Sequence, residues 1–484
     1  MGYKTYTCPI ARECGGCEWL AVPYPIQLRR KQGQVVELLG DMAERDDATM
    51  EPMRGMREPV RYRHKAATPF AHARGGRVRC GFYAAGTHRI VPCEECLVED
   101  ARARRILNAV ARTAERLHIP PYDEDRGTGV LRHAVVRCGW KTDDVLLVLV
   151  ARVAELRDER RVVDELRSAC PELTSIVLNV NDRRTNAILG RRSRTLHGPG
   201  VMHDELLGCR FEIGPTSFYQ TNPAQTETLY ELAIEGVDGA ASVLDAYCGT
   251  GTIGICAAAR SEGLRVTGVE QVGGAVASAE RNARANHVAD RCRFVAADAT
   301  TWMAREGRDQ HLDAVIMDPP RAGSTPEFLA GAAALAPERI VYVSCNVVTQ
   351  ARDLALLRDH GYRLARVVPV DMFPHTRHVE TVAVLSRKSA TKTFIPVTVS
   401  PKDMGLDEAK AQPTYENIRK YVKETHGLTV STLNIAQMKA ECGLEMECDR
   451  SGGKQQPKCP PEKREAILDA FRHFGMIEDD SSEG

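Results

Sequence analysis

Two hydrophobic periods divide the chain. Residues 145–153 (VLLVLVARV) form an unbroken apolar run of strand length, 155–169 (ELRDERRVVDELRSA) carries its apolar positions at helical spacing, and SIVLNVN is again strand-like. The first half therefore reads as an α+β module. From about residue 213 the pattern becomes regular: ASVLDA, LRVTGVE, RCRFVAAD, LDAVIMD, RIVYVS and ETVAVLSR are apolar runs separated by Gly-rich turns and stretches of helical length. Strands alternating with helices predict an α/β domain on a mostly parallel, doubly wound, Rossmann-like sheet. Beyond residue 388 Pro396, Pro401, Gly405 and Pro413 suit a linker. The tail then reads as three short helices. The first, 414–425, has apolar Ile418, Tyr421 and Val422; Ser431 caps the second, which stops at Gly443; Pro460 and Pro461 open a third that ends at Gly475. The expected organisation is 1–212 as an α+β module, 213–388 as the α/β domain, 389–412 as linker and 413–484 as a small helical appendage.

Composition narrows the partners without naming them. Lys+Arg and Asp+Glu are both 65, so a nucleic-acid surface would have to come from local segregation of charge. The basic pairs Arg104-Arg105, Arg160-Arg161, Arg183-Arg184 and Arg191-Arg192 lie in the first half, and each also suits a solvated face. No stretch reads as a signal peptide, and none approaches the roughly 18 apolar residues of a membrane span, so a cytoplasmic protein with no membrane partner is expected. Sixteen cysteines in a reducing compartment are ligands, nucleophiles or small buried hydrophobes rather than disulfides.

Candidate chemistry gathers at strand ends. Asp245-Ala246-Tyr247-Cys248-Gly249-Thr250-Gly251 follows an apolar strand and precedes a helix, so its glycines allow a tight turn with free N–H groups at the helix start. Glu270 ends the next strand, where a carboxylate accepts from ribose hydroxyls. Asp298 ends the third and is placed to accept from an adenine amino group, or merely to cap a helix; Asp318, before Pro319 and Pro320, ends the fourth. Cys345 in VSCN closes the fifth, and Glu380 in HVET opens the last. Acidic residues at successive strand ends with a DPP turn resemble S-adenosylmethionine methyltransferases rather than dehydrogenases.

Six motifs in order, SFYQTN (217–222), DAYCGTGTIG, GVE, DPPR, VSCN and HVET, resemble the RNA 5-methyluridine methyltransferase family over about residues 8–388. The resemblance implies S-adenosylmethionine as cofactor and RNA as partner. It makes Cys345 the nucleophile and Glu380 the general base, with Gln220, Tyr247, Glu270 and Asp318 around S-adenosylmethionine. Uracil carbon 5 is a weak nucleophile, so a thiolate must first add to carbon 6, and a base must later take the carbon 5 proton. Exocyclic-amine enzymes put an aromatic residue after the PP pair, where this chain has Arg321; 5-methylcytosine enzymes carry a cysteine in the slot that reads DPPRAG here.

Cys8, Cys14 and Cys17 are spaced C-x5-C-x2-C, with Cys93 and Cys96 as candidates for a fourth thiolate. Their spacing suits zinc or an iron–sulfur cluster. The resemblance implies a [4Fe-4S] cluster on Cys8, Cys14, Cys17 and Cys96, as in the ribosomal-RNA branch, which favours 23S ribosomal RNA over transfer RNA and gives the first module an RNA-binding role. Many relatives begin with a small β-barrel, whereas this sequence is expected to open directly on the cysteine loop, and its helical tail lies outside the family pattern. Lys420, Lys423, Lys439, Lys454 and Lys458 suit an RNA face or plain solvation, and Cys442, Cys448 and Cys459 lack a fourth thiol for zinc. The rival readings are a transfer-RNA enzyme and a non-catalytic iron–sulfur RNA-binding protein.

Overall fold

The computed structural model describes residues 4–84, 86–388, 414–442, 444, 459–474 and 476–477. Residues 1–391 form one compact unit and 392–484 a second. The first opens with the short helix α1 (Ala11–Cys14), the long helix α2 (Tyr24–Asp46) and β1 (Thr49–Met50). A seven-stranded sheet follows, made of β2 (Lys65–His72), β3 (Val78–Tyr83), β4 (Ile90–Pro92), β5 (Leu131–Cys138), β6 (Val145–Ala151), β7 (Ser175–Val180) and β8 (Arg192–His197) in the order β4-β3-β2-β5-β6-β7-β8. Helices α3 (Ala101–Arg116) and α4 (Glu159–Ala169) cover one face. The unbroken apolar run of β6 has its cause here: Leu147 and Leu149 pack under α3 and α4, while Leu146, Val148 and Val150 enter the core shared with the α/β domain.

The α/β domain is entered through the hairpin β9 (Met202–Leu206) and β10 (Cys209–Ile213) and helix α5 (Pro223–Glu235). It then alternates: β11 (Ser242–Ala246), α6 (Thr252–Arg260), β12 (Arg265–Glu270), α7 (Gly273–Ala285), β13 (Cys292–Ala296), α8 (Ala299–Arg305), β14 (Ala314–Met317), α9 (Pro326–Ala334), β15 (Arg339–Ser344) and α10 (Val347–Asp359). The strands β16 (Tyr362–Val370) and β17 (Glu380–Arg387) close it. Sheet order is β1-β16-β17-β15-β14-β11-β12-β13, with direction of travel reversing between β11 and β14, where open α/β sheets form their ligand crevice. The expected parallel strands are all present, but the sheet is mixed: β17 slots antiparallel between β15 and β16.

The structure redraws the first expected boundary. Residues 24–54 lie in sequence with the N-terminal module yet belong to the eight-stranded sheet, because Val35, Leu39 and Met42 of α2 join its core and β1 pairs with β16. Asp46 at the end of α2 fixes this docking by accepting from Arg358 at 2.9 Å and from the Leu364 N–H at 2.8 Å.

The second unit contains α11 (Tyr415–His426), α12 (Thr432–Glu441), closed by a capping box from Ser431, and α13 (Pro461–His473), packed around Ile418, Val422, Ile435, Met438, Ile467 and Phe471. Lys439 is not on a solvated face: it is 3% exposed, with its ammonium 4.8 Å from the Tyr415 ring centre. Lys420 and Lys423 are exposed, and Cys442 and Cys459 pack against the apolar core. The expected linker 389–412, Cys448, Lys454 and Lys458 lie outside the described residues. Among the described residues no helix is long and apolar enough to cross a membrane.

Candidate active site

A cavity of about 680 Å³ lies over the carboxyl ends of β11, β12, β14 and β15. One end is built by the Gly-rich turn. Gly251 caps α6 at φ +77°, and an added Cβ would stand 2.8 Å from the Phe294 ring. Tyr247 also has positive φ (64°), an uncommon conformation for a ring-bearing residue that turns its side chain into the cavity wall, against Phe328. Glu270 is pinned by two backbone N–H donors, Gly249 at 3.2 Å and Val272 at 2.9 Å, so its carboxylate is fixed at the cavity edge. Gln220 lines the same wall. Its loop is held by Arg137, which donates to the Ser217 carbonyl at 2.5 Å, and by Asn222, which donates to the Met372 carbonyl at 2.9 Å.

Asp298 stands apart from this group. Its carboxylate caps α8 by accepting from the Thr301 N–H at 2.8 Å and also accepts from Gln271 at 3.1 Å. Its neighbours Ala297 and Ala299 line the cavity, while Asp298 is not part of the lining.

The other end holds Asp318, Arg321, Cys345 and Glu380. The antiparallel register of β15 and β17 pairs Ser344 with Thr381, which sets Cys345 opposite Glu380. Asn346 ties the DPPR turn to the cysteine turn by donating to the Arg321 carbonyl at 3.0 Å. Burial pushes the Cys345 thiol up to about 11, with the Glu380 and Asp318 carboxylates adding and the nearby Arg321 guanidinium opposing. Glu380, 6% exposed, is pushed up to about 8, chiefly by burial and then by Asp318, against Arg321. Asp318 keeps some exposure, yet loss of water around it raises it to about 7. Two carboxyls and a thiol thus share one proton-rich site, the electrostatic arrangement from which acid–base and nucleophilic groups work.

Residues that the sequence reading did not single out complete the lining: Arg63, Lys65, Phe218, Phe373 and His378. Arg63 and Lys65 stand two positions apart in RYRHK, a spacing that sets side chains on one face of an extended segment.

The five N-terminal cysteines lie near one another, outside the lining of this cavity. Burial, with the charges of Cys96, Cys14 and Cys8 adding, holds the Cys17 thiol up at about 12. Cys14 is raised by burial and by Cys8. Cys93 is 2% exposed and donates to the Glu95 carbonyl at 3.2 Å; burial sets its thiol at about 12. Among the described residues no group of three or more His, Cys, Asp or Glu side chains is arranged to hold a single metal ion.

A sequence profile of tRNA (uracil-5-)-methyltransferases matches residues 208–388. An uncharacterised RNA methyltransferase of Halalkalibacterium halodurans is 40% identical over 388 residues, 79% of this chain and 83% of that protein. One from Bacillus cereus is 38% identical over 387 residues, with coverage of 79% and 83%. The tRNA (uracil-54, C5)-methyltransferase of Pyrococcus abyssi, solved in complex with S-adenosyl-L-homocysteine, superposes with a TM-score of 0.64 at 29% identity over 76% of this chain and 85% of that one.

Proposed function

The chain belongs to the RNA uracil-5-methyltransferase family, S-adenosylmethionine-dependent enzymes of RNA modification, and from that premise we propose that it methylates carbon 5 of a uridine through a covalent adduct on Cys345. The observation that carries this reading is the β15–β17 register, which sets a thiol and a buried carboxyl opposite each other in one cavity. S-adenosylmethionine supplies an electrophilic methyl group. Tyr247, the Gly249 turn and Glu270 would hold its adenosine portion, Gln220 and Asp318 would flank its reactive end, and Asp298 would act from behind the lining. The Cys345 thiolate adds to carbon 6 and moves the ring electrons toward carbon 4, so that carbon 5 becomes the nucleophile. Glu380 takes the carbon 5 proton, the ring double bond reforms and the thiolate leaves. The positive charge of Arg321 favours the thiolate that burial disfavours.

We further infer that Cys8, Cys14, Cys17 and Cys96 hold a [4Fe-4S] cluster. Cys96 is the strongest thiol influence on Cys17, whereas Cys93 is buried with its sulfur bonded to a backbone carbonyl. A cubane spreads its thiolates over four irons, a wider arrangement than ligands around one ion. This cysteine set favours 23S ribosomal RNA as substrate. The likeness to the Pyrococcus abyssi enzyme, whose substrate is transfer RNA, supports the second reading.

The test of the chemistry is a 5-fluorouridine RNA. Fluorine cannot leave carbon 5 as a proton does, so wild-type protein should be trapped as a complex that survives denaturing electrophoresis, and Cys345→Ala should form none and methylate nothing. Activity surviving in Cys345→Ala would overturn the adduct. Mapping 5-methyluridine in a deletion strain decides the substrate: loss from 23S ribosomal RNA supports the first reading, loss from transfer RNA the second.

A further inference from the structure

A second cavity of about 370 Å³ adjoins the first and shares Arg63, Arg321, Phe373 and His378 with it. Its far wall is the Gly15–Gly16 backbone inside the cysteine loop, with Glu18 and Thr376 at its edges. The two cavities thus share a wall made by these four side chains. None of the catalytic chemistry above uses this space.

Its charge is unbalanced. The Arg63 Nε is buried with no hydrogen-bond partner, and among the described residues neither Arg63 nor Arg321 has a carboxylate partner. Arg63 lies over the Phe373 ring at 5.8 Å, and Arg321 contacts His378 at 2.9 Å. The cavity's one carboxylate, Glu18, faces Arg377 at 3.6 Å. A half-buried arginine with an unpartnered Nε and a second, exposed arginine, lining one cavity with an aromatic ring, are elements with which proteins bind single-stranded RNA, phosphate on the cation and base on the ring.

The wall is also built to stay in place. Phe373, Thr376 and His378 sit between β16 and β17, in a segment held by buried polar contacts that reach neither Cys345 nor Glu380. Lys31 and Asp371, both fully buried, meet at 2.5 Å, and Lys31 also donates to the Phe373 carbonyl at 3.0 Å. Tyr62 donates to the Pro374 carbonyl at 3.0 Å. The His375 N–H donates to Gln27 at 2.9 Å, while the His375 carbonyl accepts from the Trp19 N–H at 2.9 Å, just past the cysteine loop. One clamp thus fixes both walls, the aromatic one and the glycine one.

We propose that this side cavity is a second RNA subsite that takes the nucleotide adjoining the target uridine, its phosphate on Arg63 and Arg321 and its base against Phe373. The proposal rests on the RNA-methylation reading and adds a determinant of sequence context to it. The probe is a set of short RNAs spanning the mapped uridine, in which the nucleotide on either side is replaced in turn by an abasic residue that keeps the phosphate. With wild-type protein, removing the base on one side should raise KM about tenfold or more, while covalent complex still forms at saturating RNA. Phe373→Ala should raise KM for intact RNA and lose most of the further abasic effect, because both changes remove the same stack. Glu18→Gln, which takes a negative charge away from the phosphate, should lower KM.

Equal KM for all the RNAs, or abasic and Phe373→Ala effects that multiply, would overturn the stacking subsite while the adduct chemistry stands. A raised KM in Glu18→Gln would overturn the phosphate assignment. Absence of both methylation and covalent complex on the intact RNA would instead remove the underlying reading.

Discussion

In the proposed mechanism, replacing Glu380 by glutamine isolates the last step of the reaction. The carboxyl lies at about 8 in the free protein because burial, reinforced by Asp318 and opposed by Arg321, favours the neutral acid. About one Glu380 in ten is then ionised at pH 7, about half at pH 8 and about nine in ten at pH 9. Resolution of the covalent adduct, which needs the ionised base, should accelerate about fivefold from pH 7 to pH 8 and about tenfold by pH 9 before it levels. Glu380→Gln preserves the shape but cannot take the proton, so its adduct should decay about 10²–10⁴-fold more slowly and without this pH dependence. The assay mixes enzyme, S-adenosylmethionine and labelled RNA, quenches at intervals in detergent and follows the shifted band. The same burial has a stability signature. A folded value raised above the ordinary 4.5 favours the native state below pH 4.5, and that advantage is lost as pH rises through about 8. Wild-type Tm should therefore fall between pH 5 and pH 8. Glu380→Gln should decline less and melt higher at pH 8, with a residual slope from Asp318, which is raised in the same sense. Adduct decay that is flat in pH for the wild type, or a glutamine variant that resolves within a few-fold of it, would refute the assignment of Glu380 as base.

Two further outcomes follow from the site. Glu270→Ala removes a carboxylate held by the Gly249 and Val272 N–H groups, so S-adenosylmethionine affinity measured by calorimetry should drop about 10–100-fold while RNA affinity stays within a few-fold; equal losses would contradict its placement. Anaerobically purified protein should contain iron and sulfide, lose both in Cys96→Ser and keep them in Cys93→Ser. Zinc without iron would sink the cluster, and the reverse pattern would move the fourth ligand to Cys93.

Much of the site was legible because its parts are contiguous. A Gly-rich turn, an acidic strand end and a DPP turn each announce themselves within a few residues, since what they need is local backbone geometry. Asp298 shows the limit of that reasoning: its place at a strand end is as read, yet its carboxylate is engaged in capping α8. Lys439 shows another, because a lysine in a polar stretch carries no mark that an aromatic ring will cover it. Helix α2 shows a third, for nothing in residues 24–46 says which of two sheets its apolar stripe will meet.

The sequence by itself determined the alternation of strands and helices, the Gly-rich turn and the residue types able to do the proposed chemistry, because hydrophobic period and turn composition act over short range. Only the tertiary structure decided that β17 runs antiparallel beside β15 and so faces Glu380 toward Cys345. Only it brought residues 15, 63, 321 and 373, from four separate segments, around one side cavity. The physical reason is common to both. Strand register and the docking of distant segments are chosen by which buried faces fit and which buried polar groups find partners, and those choices are made between segments rather than within them.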